Sequence, residues 1–310
     1  MTTSVRIDEI ISQSEQPVFS FEFFPPTSEE GERNLREAIE KLAPLEPSFV
    51  SITRRAGSTS ERTVELTRWM KQELGLEAMS HLTGYGSTPE ELRRILDHAA
   101  EVGIDNVLAL RGDPPREQPD WTPESESIRY ASELIALIAG DYPFCIGAAC
   151  YPEVHVDASD MAGEIRVLKT KAEAGAAFFI TQLFFDNAVY FEFVEAVRAA
   201  GIEQPIIPGL MPITNAEQIK RMTALSGATI PKQLVAQIEL RASDPGTVLE
   251  LGVAHATLQA ADLLARGAPG IHFYTLDRSP STRAILSALK ISRPWDKRGA
   301  EGGIALSIGT

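Results

Sequence analysis

Short runs of β-branched and aromatic residues alternate along the chain with longer stretches whose apolar residues recur at helical spacing. The runs begin near Val18 (VFSFEFF), Phe49 (FVSIT), Glu77 (EAMSHLT), Asn106 (NVLALRG), Phe144 (FCIGAAC), Phe178 (FFITQLFF), Pro205 (PIIPGLM) and Gly270 (GIHFYTL). Each gap between them has room for a helix, as a right-handed βα crossover requires. The pattern predicts an α/β protein, a (β/α)8 TIM barrel in a single domain with extra helices before the last strand. Those extra helices are expected around 216–225, 232–242 and 246–266. Residues 1–17 read as a helical lead-in, 18–294 as the barrel, and 295–310 as a mobile tail without periodicity.

Local signals agree with this frame. Thr88-Pro89-Glu90-Glu91 supplies an N-cap, a proline at the first helical position and a capping-box glutamate. Thr27-x-x-Glu30 predicts the same device two helices earlier. Gly103, Gly175, Gly201 and Gly267 each stand where a helix should end in a left-handed cap. A doubly wound open sheet is the rival fold, and it would usually show Gly-x-Gly-x-x-Gly after its first strand. The nearest string here, Gly84-Tyr85-Gly86, lacks the third glycine.

Composition narrows the partners. The 310 residues are 44% hydrophobic and 23% charged, with a net charge of −14. Such a field repels phosphate backbones and anionic lipid, which argues against nucleic acid and membrane surfaces. No apolar run reaches about 18 uninterrupted residues, and the N-terminus shows no signal core. Cys145 and Cys150 would point to opposite faces of one strand, so no disulfide is expected and a cytoplasmic location is. No spacing of ligands suggests a metal.

In a barrel, chemistry gathers at the C-terminal ends of the strands. Glu22, Thr53, His81, Arg111, Asp113, Tyr151, Glu153, His155, Gln182 and Arg278 fall there, although the sequence scatters them. Glu22 stands out as a carboxylate among phenylalanines. Alternation places Phe19, Phe21 and Phe23 on one face and Ser20, Glu22 and Phe24 on the other, towards the axis. Desolvation would raise its pKa and suit a general acid, whereas an arginine partner would lower it. Asp113, between Gly112 and Pro114, reads either as a site carboxylate or as a cap for the next turn. His81 and His155 are proton shuttles or core histidines, while His98 and His255 read as structural. Gln182 can both donate and accept towards a ring with amide-like edges. Tyr130 and Tyr151 could stack on a planar cofactor or fill the core.

FSFEFFPPTSEEGERNL, FVSIT, SHLT, NVLALRGDPP, YPEVH, ITQLFFDN, PIIPGLMPITN and IHFYTL occur in that order. Together they closely resemble the methylenetetrahydrofolate reductases of bacterial type, from about Val18 to Pro294. The resemblance implies a (β/α)8 barrel that binds FAD non-covalently and takes hydride from NADH or NADPH. It implies reduction of 5,10-methylenetetrahydrofolate to 5-methyltetrahydrofolate for methionine synthesis, in a homo-oligomer. A flavin-free reductase and a non-catalytic ligand-binding barrel are the alternatives.

Carried over by position, the resemblance makes Glu22 the proton donor and Asp113 the carboxylate beside pterin and flavin. It places Gln182, Gln218 and Arg278 at the folate, and Thr53 and Gln182 near the nicotinamide. Thr53, Arg54, Ala56, His81, Arg111, Gly112, Asp113, Tyr130, Tyr151, His155, Ala158, Glu164 and Lys171 match cofactor positions. Lys171 would lie by the pyrophosphate, and Glu164 replaces an aspartate that often holds ribose. Three positions depart from relatives: Thr53-Arg54-Arg55-Ala56 replaces Thr-Tyr-Gly-Ala or Thr-Trp-Gly-Ala, Val167 replaces a polar residue, and Met222 replaces a phenylalanine. These departures weaken the expectation of ordinary FAD affinity.

Overall fold

Strand β1 (Val18–Phe23) is buried along its whole length, as a strand covered on both faces must be. Its alternation sorts the side chains: Phe19, Phe21 and Phe23 join the outer core against the helices, while Val18 belongs to a separate inner cluster. Burying Phe21 and Phe23 fully contributes roughly 2–3 kcal/mol each. The computed structural model describes residues 5–26, 28–54, 59–114, 121–123, 126–154, 160–275 and 279–296.

The remaining strands are β2 (Phe49–Ile52), β3 (Ala78–Thr83), β4 (Asn106–Leu110), β5 (Cys145–Cys150), β6 (Phe178–Thr181), β7 (Ile206–Ile207), β8 (Gly209–Leu210) and β9 (Gly270–Tyr274). All pair in parallel, in the order β7-β6-β5-β4-β3-β2-β1-β9-β8. The two ends of that order are halves of one strand interrupted at Pro208. Ile206 and Ile207 pair with β6, while Gly209 and Leu210 pair with β9, so the sheet closes on itself. Proline supplies no N–H, but its carbonyl still accepts from His272 N at 2.9 Å. The barrel thus has the eight expected strands, with the seventh split.

Helices follow each strand: α2 (Glu29–Leu42), α3 (Ser60–Leu74), α4 (Pro89–Glu101), α5 (Ala131–Asp141), α6 (Met161–Glu173), α7 (Asn187–Ala199) and α11 (Ser279–Ser292). The long last gap holds α8 (Ala216–Ser226), α9 (Lys232–Leu240) and α10 (Pro245–Ala265), close to the expected ranges. The capping box at Thr88 is present. The cap expected at Thr27 is not: Ser28 is the N-cap of α2 and accepts from Gly31 N, and Thr27 lies outside the described residues. Gly103, Gly175, Gly201 and Gly267 all have positive φ.

The lead-in helix α1 (Ile7–Gln13) closes the N-terminal mouth of the barrel. Ile7 is fully buried with Val18, Phe49, Met79, Leu108, Cys145 and Phe178. Cys145 sits in that inner cluster and Cys150 in the outer one, and both are free. Helix α10 is long and apolar enough to cross a membrane by length and composition. Here it packs against α7 and α11, a placement that equally accounts for its apolar residues. The 295–310 tail is described only as far as Asp296.

Candidate active site at the C-terminal mouth

Glu22 is the next-to-last residue of β1, on the face opposite the phenylalanines. Parallel pairing sets Glu22 beside Tyr274 of β9 and Ser51 of β2, and Ser20 beside His272. The carboxylate is bracketed by two imidazoles: His272 Nε2 stands 3.4 Å from Oε2 and His81 Nε2 stands 3.6 Å from it. The other nitrogen of His272 bonds Ser20 Oγ at 2.8 Å, so a polar chain runs inward from the carboxylate. The Glu22 carbonyl accepts from Thr275 Oγ1 at 2.6 Å, which fixes the strand end.

This geometry corrects one expectation. Burial raises the Glu22 pKa, but the bond from His272 and the field of the histidines outweigh it and hold the carboxyl below its ordinary value. Phe19, Phe21 and Phe23 lie on the other side of the strand, as the alternation placed them. His81, itself 2% exposed, is pushed down to about 4 by burial and is neutral at pH 7. Its attraction for Glu22 therefore disappears at that pH, and the contact with His272 is what keeps Glu22 ionised.

Around this pair the strand ends converge as expected. Thr53 follows β2 and bonds back to the Phe23 carbonyl at 3.0 Å. Arg111 and Asp113 follow β4, 3.9 Å apart, with the Asp113 side chain 91% exposed. Gly112 between them has φ +88°, which favours glycine, and an added Cβ would press on Thr83 Cβ at 3.0 Å. The Arg111 guanidinium lies 5.9 Å over the Tyr85 ring.

Tyr151, after β5, has its hydroxyl pKa pushed up to about 12 by burial. Lys171 of α6 donates to the Ala149 carbonyl at 2.8 Å and lies 5.7 Å over the Tyr151 ring. Burial lowers its pKa against the opposing charge of Glu164. Glu164 is 2% exposed and acts on Lys171 and Tyr151 through its charge.

Gln182 turns its Oε1 to its neighbour's backbone, accepting from Leu183 N at 2.9 Å. Gln218, in the first turn of α8, accepts from Thr214 Oγ1 at 2.9 Å. Tyr130 precedes α5 and is 61% exposed, and no described contact joins it to Glu22. Ala56, His155, Ala158 and Arg278 lie outside the described residues, as does Arg55. Val167 is half exposed on α6 and Met222 packs at the edge of a small cluster with Leu183, Phe185 and Met211. Glu153 accepts from Thr229 N at 2.9 Å and ties the loop after β5 to the connection between α8 and α9. Among the described residues no cluster of His, Cys, Asp or Glu could hold a metal.

Sequence reasoning missed His272, Ser20 and Tyr274. Tyr274 donates to the Thr181 carbonyl at 2.7 Å and meets His272 edge-on at 5.3 Å. The signal was available: alternation in GIHFYTL puts His272 and Tyr274 on one face, in phase with Ser20 and Glu22 across the pair.

A closed eight-stranded barrel with a buried carboxyl–imidazole pair at its C-terminal mouth defines the class: a (β/α)8 protein with acid–base groups where such folds place their sites. A family model described as Methylenetetrahydrofolate reductase matches residues 6–290, and the chain belongs to that family. The Escherichia coli relative named 5,10-methylenetetrahydrofolate reductase is 38% identical, over 88% of this chain and 90% of its own length. The Arabidopsis thaliana methylenetetrahydrofolate reductase (NADH) 1 is also 38% identical, over 93% of this chain. The chain spans about half the length of the plant relatives it matches. Among solved structures, a Clostridium thermocellum protein described as binding two copies of 5-methyl-5,6,7,8-tetrahydrofolic acid superposes with a TM-score of 0.64 over 93% of this chain and 98% of its own. At 18% identity that likeness supports the fold.

Proposed function

We propose that the chain reduces 5,10-methylenetetrahydrofolate to 5-methyltetrahydrofolate, with Glu22 as the group that delivers a proton to the folate. The observation that carries this is a buried carboxylate between two imidazoles at the mouth of a barrel of this family. The substrate's methylene carbon bridges N5 and N10 in a five-membered ring. A proton on N10 lets the carbon–N10 bond break and leaves an N5 iminium. Hydride addition to that carbon then completes the methyl group.

Because Glu22 is held ionised in the free protein, the chain must return a proton to it as the mouth fills. His272 is placed for this, facing Oε2 on one side and Ser20 on the other. A ligand that removes the last solvent from Glu22 strengthens the carboxylate's hold on that proton. Asp113, exposed at the end of β4, would favour a cationic iminium through its negative charge.

FAD is proposed as the cofactor and NADH or NADPH as reductant; when bound, the flavin carries hydride from one substrate to the other. The residues present fit such a group. Both ring nitrogens of His81 are buried without a hydrogen-bond partner, as is Ser51 Oγ, and a planar ring with polar edges would satisfy such atoms. His81, Arg111, Gly112 and Tyr151 would hold it, with Lys171 towards its phosphates. Gln182 and Gln218 would orient folate.

The test is a visible spectrum of the purified protein followed by anaerobic NADH. Flavin bands that bleach, and formation of 5-methyltetrahydrofolate that stops in E22Q while bleaching continues, are expected. Equal loss of both half-reactions in E22Q would contradict the acid role. A colourless preparation that still reduces folate would replace the flavin with direct hydride transfer from the reductant.

A further inference from the structure

The turn after β2 carries a cation with donors to spare. Arg54 follows Thr53 on the rim, and its Nη1 donates to Thr83 Oγ1 at the end of β3. Thr83 in turn packs on Gly112, where an added Cβ would stand 3.0 Å from the threonine Cβ. The guanidinium is thereby held at the junction of β3 and β4, beside the strand end that carries Arg111 and Asp113.

A guanidinium has five N–H donors, and Thr83 uses one of them. Among the described residues no carboxylate forms an ion pair with Arg54, and Glu61 on α3 is the acid whose field reaches it. Desolvation at the rim lowers its pKa, and the field of Glu61 opposes that shift. The neighbouring rim cations are occupied differently: Arg111 faces Asp113, and Lys171 is buried against the Ala149 carbonyl and the charge of Glu164. In a chain of net charge −14, a guanidinium held at the rim by Thr83, with no ion pair to a carboxylate among the described residues, can receive an anion from outside.

We propose that Arg54 recognises a phosphate of the dinucleotide bound at this rim. The claim rests on the nucleotide-dependent function proposed above. A phosphate oxygen pair matches the guanidinium fork, and a fork already oriented by Thr83 loses little freedom in closing on it. The phosphate could belong to FAD, to the pyrophosphate of the reductant or to the 2′-position of NADPH, and these are separable.

Isothermal titration of FAD, NADH and NADPH, each at two salt concentrations, into wild type, R54Q, R54K and R54Y tests this, with 5-methyltetrahydrofolate as control. R54Q is expected to weaken at least one dinucleotide roughly tenfold and to flatten its salt dependence. R54K should fall between, because it keeps the charge and loses the fork, while folate binding stays unchanged. Weakening of NADPH alone assigns the 2′-phosphate, equal weakening of NADH and NADPH the reductant's pyrophosphate, and weakening of FAD alone the flavin's. R54Y binding as tightly as wild type would mean stacking and overturn the proposal. So would R54Q binding all three dinucleotides like wild type. Wild-type protein that bound no dinucleotide would remove the proposed function itself, and Arg54's part with it.

Discussion

A carboxylate buried beside histidines gives the protein a distinctive acid response. His81 resists protonation until about pH 4, whereas the unfolded chain takes up that proton near 6.5. For this lowered base, stability is fully present above pH 6.5 and is lost as pH falls towards 4, worth about 3 kcal/mol over that window. Glu22, lowered from its ordinary value, adds stability above the unfolded carboxyl pKa that is lost at still lower pH. Thermal melts of wild type and His81→Asn between pH 7 and pH 4 should therefore diverge, with the wild type falling more steeply. Parallel curves would show that His81 titrates as it does in the unfolded chain. At the same scale, Asp113→Asn should slow folate reduction more than reduction of the flavin in stopped-flow half-reactions, as the role proposed for its exposed carboxylate requires. The neutral amide keeps the shape of the side chain, so an unaltered folate rate would remove Asp113 from the chemistry.

Elements were legible from the sequence where one local signal decided them, and illegible where contacts across the chain did. The eight strand runs and the capping box at Thr88 follow from period and spacing alone. The split of the seventh strand at Pro208 follows from its pairing with two different neighbours, which alternation within PIIPGLM does not reveal. Glu22 was legible as an inward carboxylate, but its partners lie about 60 and 250 residues away, so the sign of its pKa was not. Helix α10 shows the same limit, because its near-uniform apolarity hides which side meets the barrel. That side is marked by Gly252, where an added Cβ would lie 1.8 Å from the Ile213 carbonyl. The obstacle is backbone, which cannot rotate aside, so Gly252→Ala should force the helix away and cost at least about 2–3 kcal/mol in urea unfolding. A variant as stable as wild type would mean that α10 does not sit this close.

At the scale of the whole molecule, the barrel separates stability from chemistry along its axis. The carboxyl–imidazole pair occupies one mouth, and the other is stoppered by α1. Asn106 ties that stopper down from inside the barrel: its Oδ1 accepts from Ile7 N at 2.8 Å, and its Nδ2 donates to the Val5 carbonyl at 2.8 Å and to Glu77 at 2.7 Å. Lys71 closes the network by pairing with Glu77 and Asp105. Ile7 itself reaches the inner cluster, so truncating it should leave a cavity at the base of the barrel and cost about 2–5 kcal/mol. Ser20 and Ser51 are both buried on strands whose first residues, Val18 and Phe49, line that cluster. Both belong to the polar layer of the site rather than to the apolar cluster below it, which separates them from a cavity at Ile7. Ile7→Ala should therefore lower the melting temperature by several degrees while KM and kcat, measured well below the melt, stay within about twofold of wild type. A fall in kcat at unchanged melting temperature would show that the two ends of the barrel are mechanically coupled, and that α1 belongs to the catalytic apparatus as well as to the fold.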